Sequence, residues 1–105
     1  MSKIEHVIPR GELSLRGMVC GEQICRVLAS YDALISFSQL FDEVSNRLSE
    51  RPLSQYFNHY TIEDLTGLVE RSLPVLRKYR LVYTRNQGHL YLATDKTIRL
   101  FGDGT

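Results

Sequence analysis

A change of hydrophobic period near Arg80 limits what this chain can fold into more than any other feature. From Ile62 onward the apolar residues Ile62, Leu65, Val69, Leu73 and Leu76 step by three and four, the spacing of a core-facing helical stripe about four turns long. After Arg80 the period falls to two. Leu81-Val82-Tyr83-Thr84 and His89-Leu90-Tyr91-Leu92-Ala93 are rich in β-branched and aromatic residues, and Arg85-Asn86-Gln87-Gly88 between them holds the Asn and Gly that turns with positive φ prefer. The switch predicts a long helix feeding into a two-stranded hairpin, with Leu65, Val69, Leu73, Leu76, Leu81, Leu90 and Leu92 in the core. Thr61 and Asp64 have the spacing of a capping box, in which each side chain bonds the other's backbone N–H, so the helix has a defined start. Pro74 lies inside the stripe. It lacks an N–H and crowds the carbonyl four residues earlier, so it either kinks one helix or separates two, with Ser72 capping the second.

Upstream, Ile24, Val27, Leu28 and Tyr31 recur at helical spacing and predict a first helix over about 22–31. Leu34–Ser38 can pair as a short strand. Leu40, Phe41, Val44 and Leu48 predict a second helix over about 39–49, with Ser38 as N-cap and a stop before Arg51-Pro52. Between 50 and 60, Leu53, Tyr56 and Phe57 are expected to form one helical turn packed on the core. Residues 1–20 alternate weakly around Pro9-Arg10-Gly11 and suggest an extended arm or short hairpin; residues 97–100 suggest a further short strand. The 105 residues suit a single domain over 21–105 behind this N-terminal segment, and a chain of that size can bury a sufficient core without disulfides.

Helix, short strand, helix, longer helix and hairpin form an order that resembles the winged helix-turn-helix superfamily. The run Leu73-Pro-Val-Leu76-Arg-Lys-Tyr79-Arg-Leu81-Val82-Tyr83, followed by Leu90-Tyr-Leu-Ala-Thr-Asp95, is similar to that superfamily's ending: two leucines three apart, a Leu-Val strand, a polar tip and a second strand. The likeness covers roughly residues 22–95. It implies an α+β fold, a winged helix-turn-helix of three helices plus a C-terminal β-hairpin wing, here preceded by an N-terminal extended arm. It also implies double-stranded DNA as a partner, a role as a small transcriptional regulator, and a homodimer, because operator half-sites are commonly related by a two-fold axis. One position departs from the pattern. The residue before the Leu-Val strand is commonly glycine in that superfamily, and here it is Arg80.

The formal net charge of +1 conceals a gradient. Residues 1–70 hold six Lys/Arg against ten Asp/Glu, whereas residues 71–105 hold seven against two. A local positive face matters more to phosphates than the global sum, because cations placed there release condensed counterions. On a helical wheel Arg71 and Lys78 lie opposite the leucine stripe, together with Gly67 and Pro74, and Arg77 lies nearby. The hairpin tip offers Arg85, Asn86, Gln87 and His89. These seven side chains, Arg71, Arg77, Lys78, Arg85, Asn86, Gln87 and His89, are the candidate contacts to phosphates and base edges. Glu63, Asp64 and Glu70 oppose them on the first part of the same helix; Asp64 is expected to cap and Glu63 to face solvent. The alternative reading is a winged-helix interaction or adaptor module within a larger assembly that does not bind DNA directly, with a protein partner meeting Tyr56, Phe57 and Tyr60, beside His59. Those aromatics are otherwise a satellite of the core.

Nothing in the pattern suggests an enzyme. Cys20 and Cys25 do not have the two-residue spacing of zinc sites, and no second Cys or His pair follows them. Cys25 is expected to be a small buried apolar residue. His6, His59 and His89 are scattered singly, the glycines form no phosphate-binding loop, and Asp42-Glu43 and Glu63-Asp64, as sequence neighbours on helices, point away from each other. No metal or cofactor is expected. With no run of signal or membrane-spanning length, the expected location is cytoplasmic and reducing.

Overall fold

The computed structural model describes residues 3–102 and is an α+β arrangement, in which α-helices pack with a small antiparallel sheet. A 3-10 turn at Lys3–His6 precedes α1 (Leu15–Ala29), β1 (Ile35–Ser36) and α2 (Phe37–Leu48). A second 3-10 turn at Leu53–Tyr56 leads to α3 (Ile62–Lys78), β2 (Val82–Arg85), β3 (Leu90–Ala93) and α4 (Asp95–Phe101).

The stripe lies on α3, and both bonds of the capping box are present: the Thr61 hydroxyl accepts from the Asp64 N–H and the Asp64 carboxylate accepts from the Thr61 N–H, each at 3.0 Å. Pro74 does not divide the helix, which runs unbroken to Lys78. Pro74 and Glu70, whose carbonyl loses its donor, are both exposed, so solvent can satisfy the carbonyl that the ring deprives. Ser72 is no cap either: it is buried and donates to the Leu68 carbonyl at 2.8 Å. The stripe itself is displaced at its start. Ile62 is 74% exposed, because the first turn of α3 extends past the core, while Leu68, Val69, Leu73 and Leu76 are buried. Leu65, Leu90 and Leu92 are half-buried and Leu81 is fully buried.

The first helix starts well before residue 22. Ser14 caps it, its hydroxyl accepting from the Gly17 N–H at 3.0 Å, so residues 15–20 are helical rather than part of an arm or hairpin, and residues 3–14 hold a 3-10 turn and a loop. Glycines at 17 and 21 weaken the helical pattern in the sequence, yet both are buried. A Cβ on Gly21 would stand 3.0 Å from Ile4 Cδ1 and 3.4 Å from Leu76 Cδ2. Glycine thus lets α1 approach α3 closely. α1 is the hub of the molecule, touching α2, α3, α4 and β3.

The second helix is capped by Ser36 rather than Ser38, with the Ser36 hydroxyl accepting from the Gln39 N–H. The expected strand at 97–100 is instead part of α4. Thr94 caps it, and the four-residue spacing of buried Thr97 and Phe101 is helical. Of the 34–38 segment only Ile35–Ser36 pairs, as β1, while Phe37 and Ser38 open α2; the result is a three-stranded antiparallel sheet in the order β1-β3-β2. Ile35 faces Tyr91 across one ladder, and Val82 faces Ala93 and Arg85 faces Leu90 across the other. The hairpin turn bends through Asn86 (φ 52°), Gln87 (φ 57°) and Gly88 (φ 86°), and the Arg85 carbonyl accepts from the N–H groups of Gly88 and His89 at 3.1 Å.

The junction of α3 and β2 is a tight C-cap. The Leu81 N–H donates to the Leu76 carbonyl at 2.8 Å and the Arg80 N–H to that of Arg77 at 3.0 Å, the paired bonds of a Schellman motif. Arg80, in the position that glycine usually takes in that motif, has φ 61°. Two threonines bind the root of the hairpin to α4: Thr94 donates to the Arg80 carbonyl at 2.7 Å and Thr97 donates to that of Leu81.

Candidate nucleic-acid interface

The helical and hairpin cations converge because the C-cap turns β2 back alongside the last turns of α3. Phe37, Leu73, Pro74 and Tyr91 line an open groove between α3 and the hairpin, where Arg77, Lys78 and His89 also lie. A second hollow adjoins it, lined by Arg77, Thr84, Arg85, Asn86, Gln87 and Gly88. Arg77 lines both, so cations and amides from two elements share one concave surface. Of the seven candidate side chains, six lie on this surface, and all seven belong to exposed residues.

Arg71 is placed elsewhere. It folds over Gly67, where its Nη1 would sit 3.0 Å from an added Cβ, in a hollow shared with His59, Tyr60, Glu63 and Asp64. The two carboxylates of that hollow set it apart from the basic surface around Arg77.

Lys78 carries a partner that its own helix does not supply. Glu12, from the loop before α1, accepts from Lys78 Nζ at 2.9 Å and from the Tyr79 hydroxyl at 2.5 Å with the same Oε1. The Tyr79 hydrogen bond, then that of Lys78, holds the Glu12 carboxyl below the ordinary carboxylate range, while the bond to Glu12 raises both Lys78 and Tyr79. Glu70 enters the groove from α3, where partial burial and then its charge push the Tyr91 phenol up. The exposed side of α3 is therefore acidic in its first half and basic in its last turns.

Two further cations escaped the helical-wheel reading. Arg80 and Lys96 line a third hollow with Arg77, Tyr83 and Asp95, on the flank of the hairpin away from the groove walls of Phe37 and Tyr91. In the sequence Lys96 shows only in the charge excess beyond residue 70, and Arg80 shows there and as the residue in place of the expected glycine.

The loop aromatics are turned toward one another. Phe57 is buried, and Phe57 and Tyr60 meet edge to face at 5.2 Å. Arg16 lies over the Tyr60 ring at 5.6 Å and donates to the Tyr56 carbonyl at 2.6 Å. Cys20 and Cys25 are buried, which pushes both thiols up to about 12. They are protonated packing residues. Among the described residues no helix is long and apolar enough to cross a membrane. No family model, curated protein or solved structure matches the chain.

Proposed function

We propose that the chain is a winged-helix protein that binds duplex DNA as a small transcriptional regulator, with the basic end of α3 and the β2–β3 hairpin, its wing, set against the duplex. The order of helices and strands and the β1-β3-β2 sheet are compatible with such a domain. The observation that carries the reading is the shared surface around Arg77, where a helix and a hairpin turn present Arg77, Arg85, Asn86, Gln87 and His89 together. Phosphates reward such a surface through counterion release. Glu63, Asp64 and Glu70 disfavour deep insertion of the first half of α3 beside phosphates. The contact is accordingly assigned to the last turns and the wing, which position the protein on the backbone more than they read bases. Occupation of two half-sites by two copies belongs to this reading.

The test is a fluorescence-anisotropy titration of mixed-sequence duplex at several salt concentrations. Wild-type affinity should fall as salt rises, and Arg77→Ala with Arg85→Ala should weaken binding and flatten the logarithmic salt slope by up to about two units. Absence of salt-dependent binding by the wild type sinks the reading.

A further inference from the structure

The residue that departs from the sequence pattern also has the least favourable backbone conformation of any charged residue in the described chain. Arg80 is the C′ residue of a Schellman motif, at φ 61°, a conformation that L-residues other than glycine and asparagine seldom adopt. Among the described residues the fold uses only its backbone. The N–H bonds Arg77 and the carbonyl accepts from Thr94, and glycine would make both bonds without strain. The guanidinium makes no hydrogen bond or ion pair among the described residues, and Arg80 is exposed. A side chain held at a conformational disadvantage, with no partner among the described residues, calls for a reason outside them.

Its surroundings supply one. The hollow it lines brings together Arg77, Arg80 and Lys96 against a single carboxylate, Asp95, with Tyr83 forming an exposed aromatic wall. Lys96 leans toward the same junction, its Nζ 3.4 Å from the Tyr79 carbonyl. Arg77 and Thr84 line both this hollow and the one at the hairpin turn. The positive surface is thus continuous from the turn to the start of α4.

We propose that Arg80, Lys96 and Tyr83 form a second phosphate seat, which takes a further backbone phosphate of the same duplex that the wing contacts. The inference rests on the DNA-binding reading and extends it to residues on the outer flank of the hairpin. Arg80 and Lys96 supply charge-assisted donors to the phosphate oxygens, and the Tyr83 ring packs against the sugar. Glycine at position 80 would relieve the backbone and empty the seat.

Two measurements with opposite expected signs test this. Arg80→Gly should melt at or above the wild-type temperature, yet bind mixed duplex several-fold more weakly at low salt, with a salt slope flatter by about one unit. Adding Lys96→Ala should flatten it by about one more. Arg99→Ala removes an exposed cation of α4 outside the hollow and should leave binding nearly unchanged. Wild-type affinity and slope in Arg80→Gly, a lowered melting temperature, or an equal loss in Arg99→Ala would each overturn the seat. If Arg77→Ala with Arg85→Ala loses binding while Arg80→Gly and Lys96→Ala do not, the seat fails and the DNA reading stands. A wild type that does not bind duplex, or that binds polyglutamate in preference to it, removes both.

Discussion

Glu12 shows how one side chain can set the properties of a face to which it does not belong. Its carboxylate holds Lys78 and Tyr79 at once, and those two bonds lower its own proton affinity. A carboxylate whose folded pKa lies below its unfolded value adds stability above the unfolded value, and that contribution is lost as pH falls through the folded one. Glu12→Gln should therefore be less stable than wild type at neutral pH, and the gap should close as pH falls below about 4. Urea midpoints measured across that range decide it; a gap independent of pH would show that the carboxylate charge is not the cause. The Lys78 and Tyr79 shifts act in the opposite direction, their stabilisation being lost only as pH rises through values above those of the free side chains. None of this was legible in the sequence, where Glu12 lies 66 residues from Lys78 in a loop without periodicity. The burial of Cys25 was legible, since it shares a helix face with neighbouring apolar residues.

Among the elements, those with a local chemical signature matched the sequence reading most closely. α3 is announced by Thr61 and Asp64, and the hairpin by its alternation and its Asn and Gly. Thr61→Ala should cost about 1 kcal/mol in urea unfolding, the usual worth of an N-cap. The start of α1 and the helical nature of α4 were missed for related reasons. Ser14 and Thr94 are good caps, but each precedes a segment whose helicity depends on tertiary packing: buried glycines in α1, and only two buried residues in the short α4. Pro74 was ambiguous because a proline inside a helix is tolerated or disruptive according to the exposure of its turn, which a sequence does not state. Gly67 offers a cleaner experiment within α3. A Cβ there would meet only the mobile end of Arg71, so Gly67→Ala should raise stability by about 0.5–1 kcal/mol. A loss in urea midpoint would show that Arg71 cannot move aside.

At the scale of the whole molecule, α1 makes helices and sheet interdependent, and Leu76 is one of the points where they lock. It is fully buried and packs close to Gly21. Leu76→Ala should cost about 2–5 kcal/mol, with helical circular dichroism and tyrosine fluorescence lost in one coincident transition; separate transitions would mean that the hairpin folds independently of the helices. The charge gradient was legible from residue counts alone, but its geometry was not. The fold concentrates Arg77, Arg85, Arg80 and Lys96 around one hairpin and leaves Arg71 among carboxylates, a sorting that depends on a C-cap only three dimensions reveal. Thr94 and Thr97 add a mechanical corollary. By fastening the carbonyls of Arg80 and Leu81 to α4, they make the hairpin a cantilever, clamped at its base and free at residues 86–88. Adjustment to the contour of a bound surface then falls to the tip, and the two hydroxyls share the bracing of the root with the Thr94 N–H, which bonds the Leu81 carbonyl, and with the β1–β3 ladder.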